Sequence, residues 1–333
     1  MTNQINIYFL ENSFDYNGSD LNSPKIGGSE KTLINITNEL AKDKKFSIKV
    51  FNNTSKSLRI NDVTWNNINK LDKNDKPNYL IVMSDANLFY KLNCKENYLW
   101  SHSIQTFEKF VRKKQLFPFL KFKPTVILEG DYHYNSRSLL TSLFGKKILS
   151  IAPDYDFINT TIDLNYIPDP IAIFTTKSDR NLDFLLSSWL LIKEKSEKAK
   201  LYINPPFELT NTHIKNDVHL RIKGDKEKLI NDLTNSKLFL TPGHKTEVFC
   251  LAAEEARELC IPIVTMGYGC LYERVEHEKT GFIAKNKKEF IEYSNLILND
   301  NSVYLGLKKN LYEIRNSKNY ALVKTNLLKL LNI

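Results

Sequence analysis

The chain alternates short, nearly uninterrupted apolar runs with longer stretches of helical periodicity, and it does so twice. In the first half, strands are expected at Ile5–Leu10, 47–51, 79–84, 98–101, Thr125–Leu128 and 147–151. Such runs suit strands buried on both faces of a parallel sheet. After Gly27-Gly28 the spacing of Leu33, Ile36 and Leu40 predicts a helix, with Ser29 as its N-cap. Pro168-Asp169-Pro170 interrupts the chain, and the alternation then restarts. The second set of strands is expected at 171–175, Lys200–Ile203, 219–222, 237–240, 262–265 and 281–284, with helices at 182–195, 226–234 and 249–259. The pattern is α/β and doubly wound. The expected domains are 1–168 and 169–333, with a last helix able to pack back on the first.

A chain of 333 residues exceeds the usual single domain, which agrees with two. With 42% hydrophobic and 26% charged residues it has the makings of packed cores. No apolar run approaches the roughly 20 residues that span a bilayer. Met1-Thr2-Asn3-Gln4 does not open a secretory signal, so a cytoplasmic protein is expected. Cys94, Cys250, Cys260 and Cys270 form no C-x-x-C pair and read as buried free thiols. The net charge of +9 follows from lysine spread along the whole chain, so no nucleic-acid partner is expected. One basic segment stands apart. Lys109, Arg112, Lys113, Lys114, Lys121 and Lys123 interleave with Phe110, Phe117, Phe119 and Phe122. It reads either as a solvated face over core aromatics or as a contact for an anionic membrane surface or acceptor.

The stretch from Thr241 to Ala256 carries the most chemistry. It follows an expected strand and opens an expected helix, whose free N–H groups suit a diphosphate. Glu247 and Glu255 lie eight positions apart, about 12 Å if both stood on one helix. That is too far for an acid/base dyad. It suits a grip on hydroxyls at two ends of an extended ligand, because an ionised carboxylate only accepts hydrogen bonds. Acidic pairs on helices are more often solvated faces.

Glu247-Val248-Phe249-Cys250-Leu251, Glu255-Ala256, Pro262-Ile263-Val264-Thr265, Glu273-Arg274-Val275 and Thr280-Gly281-Phe282-Ile283 together resemble a family signature. It is the donor-site signature of the GT-B retaining glycosyltransferases of family 4. The likeness implies two Rossmann-like domains facing each other across a cleft, and a nucleotide sugar such as a UDP- or GDP-sugar as donor. It further implies that Glu247 binds sugar hydroxyls, near the backbone N–H groups of Phe249, Cys250 and Leu251, and that Glu255 holds the ribose. Arg180 and Lys177 would meet the diphosphate. Gly27-Gly28-Ser29-Glu30 resembles the family's glycine-rich loop, and His102 stands where the family often places a histidine near the donor sugar; His133 has similar surroundings. Gly267 and Gly269 read either as a ligand-approaching loop or as an ordinary turn. Glu247, Arg180 and His102 are the catalytic candidates. No cofactor and no metal are expected, and Asp154-Tyr155-Asp156 reads as incidental. Val248, Cys250 and Asn181 depart from positions commonly held by glycine. The acceptor implied is a saccharide or lipid-linked glycan, met on the inner face of the membrane. Rival readings are a nucleotide-sugar epimerase or phosphorylase of the same fold, and a catalytically silent module that binds nucleotide or carbohydrate.

Overall fold

The structure, a computed structural model, describes residues 4–333, so Met1-Thr2-Asn3 of the leader reading lie outside it. The chain divides into two compact units. One comprises the chain up to Ala152 together with Tyr320–Ile333; the other is Pro153–Asn319.

The first unit is built on an eight-stranded sheet. Its strands are β1 (Ile5–Leu10), β2 (Phe46–Asn52), β3 (Leu58–Ile60), β4 (Val63–Asn67), β5 (Tyr79–Met83), β6 (Glu96–Trp100), β7 (Thr125–Leu128) and β8 (Lys146–Ile148). They lie in the order β3-β4-β2-β1-β5-β6-β7-β8. Every pairing is parallel except β3 with β4. The β3–β4 ribbon was not anticipated, because its outer strand is three residues long and largely exposed, without an apolar run to betray it. Leu80, Val82, Leu99, Val126 and Leu128 form one side of the core with Phe89, Phe110 and Phe119. The helix Gly28–Ala41 starts one residue before the expected cap: the Glu30 carboxylate reaches back to accept the Gly27 N–H at 3.0 Å. The terminal helix Tyr320–Leu331 buries Tyr320, Val323, Leu327, Leu330 and Leu331 and packs against that helix.

The second unit has a six-stranded, all-parallel sheet of β9 (Ile171–Phe174), β10 (Lys200–Ile203), β11 (Val218–Leu220), β12 (Leu238–Leu240), β13 (Ile263–Thr265) and β14 (Gly281–Ile283). Its order is β11-β10-β9-β12-β13-β14. Taken in chain order that is 3-2-1-4-5-6, the Rossmann arrangement. Trp189, Leu185 and Ile192 of the helix Leu182–Lys195 and Phe290 of the helix Lys287–Asn299 cover one face.

The units part at Ala152/Pro153 rather than at Pro168-Asp169-Pro170. The intervening segment is tied to the second unit by its own polar contacts. Lys226 Nζ lies 2.9 Å from Asp154 and 2.7 Å from Asp156. Arg315 donates to the carbonyls of Ile158 and Thr160 at 2.8 and 2.9 Å, and Lys308 to those of Asp163 and Tyr166, both at 2.7 Å. Such long-range pairings leave no local mark in the sequence, whereas prolines do.

Candidate functional site

In a sheet of this order the strand direction of winding reverses between β9 and β12, and the loops leaving those two strands diverge to open a crevice at their carboxyl ends. Of the residues singled out in the second unit, Lys177, Arg180, Glu247, Phe249 and Cys250 fall on those two loops, Leu251 and Glu255 on the helix after the second loop, and Gly267 and Gly269 after β13. The turn after β9 runs from Thr175 to Asn181. Asn181 adopts a left-handed backbone, φ 60° and ψ 38°, immediately before the helix Leu182–Lys195. Asparagine tolerates this region better than most side chains, which explains its presence where glycine is common. Its amide also donates to the Gly243 carbonyl on the second loop.

Arg180 joins the two loops. Its guanidinium donates to Thr246 Oγ1 at 3.2 Å, lies 3.2 Å from Asp179, and brings Nε within 3.9 Å of Glu247 Oε1. The Glu247 side chain is only 12% exposed, and its Oε2 is buried without a hydrogen-bond partner. Burial raises its carboxyl above the ordinary range, opposed by a hydrogen bond from Cys250 and the charge of Arg180. A buried acceptor without a donor is a position prepared for an incoming hydroxyl or N–H.

Glu247 stands in the loop, not on the helix. Cys250 takes φ 58° and ψ 73°, and the helix runs only from Leu251 to Glu258. The expected start at Phe249 and the twelve-ångström helical spacing of the two carboxylates therefore do not hold: a left-handed residue turns the chain between them. Glu255 is the fifth of the helix's eight residues and is buried. The backbone N–H groups of Phe249, Cys250 and Leu251 find no acceptor among the described residues, as befits a helix start. The Cys250 thiol is buried, which pushes its pKa well up, and the adjacent Glu247 adds to that.

Gly269 supports the same loop. With φ +67°, a Cβ built on it would come within 2.3 Å of the His244 carbonyl oxygen and 2.8 Å of that of Glu247. The neighbouring Cys270 N–H donates to the Glu247 carbonyl at 3.1 Å. The glycine is required by the backbone packed against it. Gly267 has φ +69° in the same turn. Lys177 is exposed and borders a cavity of about 480 Å³ with Thr175, Thr176, Ser178, Asn204 and Lys223.

A group that sequence reasoning missed lies behind Phe249. Glu254 is fully buried and is held by Arg274 at 3.2 Å, by Arg257 at 3.0 Å and by Lys318. Arg274 also donates to the Phe249 carbonyl at 2.7 Å and covers its ring at 4.1 Å. These cations lower the Glu254 carboxyl despite its burial, Arg274 foremost among them. The Glu273-Arg274-Val275 block thus anchors the loop from behind.

In the first unit, Gly28 opens the helix after the β1 loop, at the corresponding switch between β1 and β5. His102 follows β6, with Nδ1 2.5 Å from Glu129 Oε1; Glu129 follows β7. Both are nearly buried, and His102 Nε2 has no hydrogen-bond partner. His133 is also buried. It accepts the Glu129 N–H at Nδ1, 3.2 Å, and faces the Ser103 carbonyl with Nε2, 3.2 Å. Burial lowers its pKa to about 4, so the ring is neutral and fills a structural place. No motif announced Glu129, since it meets His102 only by strand adjacency.

Of the four phenylalanines in the basic segment, Phe110 and Phe119 are core residues with ring centroids 4.8 Å apart, Phe122 is half-buried, and Phe117 is 70% exposed. Asp154 and Asp156 both serve Lys226. The cysteines are free, and all but the half-buried Cys94 are buried. No helix among the described residues is long and apolar enough to cross a membrane.

Two Rossmann-like units, each with charged and polar side chains on the loops at its strand-order switch, define the GT-B class of glycosyltransferase folds. More particularly, residues 178–315 match the family described as Glycosyl transferases group 1, a segment that begins beside Arg180 and takes in Glu247, Glu255 and the Arg274 anchor. Among solved structures, HepE from Anabaena in complex with UDP and glucose is similar with a TM-score of 0.73 at 14% identity, over 99% of this chain and 100% of that one. WaaG, a glycosyltransferase involved in lipopolysaccharide biosynthesis, is similar with a TM-score of 0.70 at 10% identity, over 98% and 99%. TarM from S. aureus, in complex with fondaparinux, alpha-GlcNAc-glycerol and UDP, gives a TM-score of 0.61 at 17% identity over 76% of this chain. The match covers 55% of the TarM chain, so this protein answers to about half of that relative's length. No curated protein sequence matches the chain.

Proposed function

We propose that the protein transfers a sugar from a nucleotide-diphosphate sugar to an acceptor hydroxyl, with retention of anomeric configuration. The observation that carries this reading is the meeting of Arg180 and Glu247 at the switch point of the second unit, beside the start of the helix Leu251–Glu258. A diphosphate leaving group gains negative charge as the glycosidic bond breaks. Arg180 and the unpaired N–H groups at that helix start are fixed in advance to receive it, with Lys177 as a further cation. The unpartnered Glu247 Oε2 accepts a sugar hydroxyl, and Glu255 takes the ribose. In this scheme the charge on the leaving group is met by side chains and backbone, without a resident metal. HepE, with its UDP and glucose, supports a UDP-sugar as first candidate donor.

A saccharide or lipid-linked acceptor fits the exposed surface of the first unit. Phe117 is 70% exposed on the short helix Leu116–Phe122, and Leu139 is 89% exposed nearby in sequence, with Arg112, Lys113, Lys114, Lys121 and Lys123 also at the surface. Aromatic and cationic groups together suit an anionic lipid surface, and a peripheral enzyme on the inner face of the membrane follows.

The test is a thermal-shift screen of UDP-, GDP- and ADP-sugars, followed by measurement of nucleotide release with and without saccharide acceptors. Stabilisation by one nucleotide sugar and its turnover are expected. Binding without turnover under every acceptor tried would instead support a silent module, a reading favoured by the side chains of Val248 and Cys250 where glycine is common. Absence of any nucleotide binding would remove both.

A further inference from the structure

Side chains alternate along β9 and β10, so Ala172, Phe174, Leu201 and Ile203 enter the core of the second unit while Ile171, Ile173 and Tyr202 point the opposite way. Register sets Ile173, Tyr202 and His219 side by side on three neighbouring strands. The Tyr202 and His219 rings stack there with centroids 5.2 Å apart. The helix Lys226–Thr234 borders this face of the sheet yet buries only Lys226 and Leu233. It presents Lys228, Asn231 and Asp232 to the strands instead of apolar side chains, and a cavity of about 290 Å³ remains between helix and sheet.

The two walls differ in chemistry. The strand wall is apolar with one aromatic ring, and Leu220 and Ile222 continue it; Ile222 is 77% exposed, so the groove opens to solvent there. The helix wall is polar, but its charges are already matched. Asp232 accepts from Arg221 Nε at 3.1 Å and Nη2 at 2.7 Å, and from Lys228. Arg221 Nη1 donates to Asn204. A charged ligand would find no unpaired group of opposite sign. What stays open is neutral: Asn231 Nδ2 and the Tyr202 hydroxyl have no partner among the described residues. The occupant therefore needs an apolar face for the strands and uncharged hydrogen-bonding groups along one edge for the helix. A sugar ring is built that way, with C–H bonds on its face and hydroxyls, each donor and acceptor, around it. The cavity is near the lower limit of small-molecule sites, about 300–1,000 Å³, so it takes one ring and not a nucleotide.

We infer that this groove is a separate saccharide site, which holds one neutral sugar residue against Tyr202 and hydrogen-bonds it through Asn231 and the Tyr202 hydroxyl. It shares no lining residue with the Arg180–Glu247 site. In an enzyme that extends glycans, such a site keeps the chain at hand between transfers. That purpose rests on the reading proposed above; the binding itself does not.

The experiment uses the full chain labelled with 3-fluorotyrosine and read by fluorine NMR, in which Tyr202→Phe identifies the Tyr202 line by its loss. The probes are D-glucose, D-galactose, D-mannose and N-acetyl-D-glucosamine, each titrated with and without UDP. The Tyr202 line is expected to shift with at least one sugar, with a dissociation constant on the order of 1–10 mM, and equally in the presence of UDP. Asn231→Ala keeps the helix, since alanine favours it, and is expected to weaken that sugar roughly fivefold, the loss of one neutral hydrogen bond. A Tyr202 line indifferent to all four sugars overturns the inference without any variant. So does a shift that UDP abolishes, which would place the sugar at the donor site, or a line moved by indole and by no sugar, which would give the groove an aromatic occupant. Unchanged affinity in Asn231→Ala overturns it as well. Failure of the transferase reading appears separately, as wild-type protein that binds no nucleotide sugar.

Discussion

Arg180 Nε stands 3.9 Å from Glu247 Oε1, although 66 residues separate the hydrogen-bonded Arg180 and Thr246 in the chain. The contact ties the loop after the first strand of the second unit to the loop after the fourth, and it leaves the other Glu247 oxygen unpaired. Glu247→Ala is therefore expected to lower kcat on the order of 100-fold, the scale of losing one preorganised electrostatic contact, while UDP affinity changes little. Arg180→Ala should weaken both. The double variant should lose less than the product of the two, because the residues share one arrangement. Glu255→Ala should chiefly weaken nucleotide binding. Steady-state kinetics with calorimetric UDP titration checks all four.

Cys250 holds a left-handed backbone that costs an ordinary residue roughly 1–2 kcal/mol. Cys250→Gly relieves it, offset in part by the greater freedom of glycine in the unfolded chain. A net gain of about 0.5–1 kcal/mol is expected in chemical denaturation. A loss would mean that the thiol contact with Glu247 outweighs the strain.

Gly269→Ala forces a methyl group against the carbonyls of His244 and Glu247 at a positive φ. The Glu247 loop must shift. Stability should fall by roughly 1–3 kcal/mol, and turnover should fall by more than UDP affinity does. Equal losses in both would show that the loop moves as a whole.

Glu254→Ala leaves Arg274 in a buried site without its carboxylate. Destabilisation of about 3–5 kcal/mol is expected, as when one partner of a buried ion pair is removed. The denaturation midpoint reports it, and a change under 1 kcal/mol would show that Arg257 and Lys318 already reach water.

His133 titrates at about 4 in the folded protein because it is buried, against roughly 6.5 when unfolded. Between those values the unfolded chain binds more protons. The stabilisation is complete above pH 6.5 and is lost as pH falls towards 4, on the order of 3 kcal/mol in total. His133→Asn should flatten that part of the stability-against-pH curve relative to wild type. Parallel curves would remove His133 as the source.

Both sheets were legible in outline because parallel strands buried on two faces leave short apolar runs, and each expected strand has a counterpart. The β3–β4 ribbon left none, because β3 is short and largely exposed and β4 buries only Val63 and Trp65. The Glu247–Glu255 stretch and Arg180 stood out through their resemblance to a family signature. The helix start was misplaced by two residues because Cys250, unlike glycine, does not advertise a left-handed backbone. The domain boundary was drawn at prolines, whereas the segment before them is held by Lys226, Lys308 and Arg315 from far along the chain.

The amino-acid order by itself determined the alternation of strand and helix, the two doubly wound units and the identity of the acidic and basic residues on the loops. Those are local properties, set by apolar periodicity and turn chemistry over a few residues. Only the tertiary structure decided which of those residues meet: Arg180 with Glu247, His102 with Glu129, Glu254 with Arg274. Each pairing depends on which strands become neighbours, and strand adjacency is fixed by burial summed over a whole sheet rather than by any segment of it.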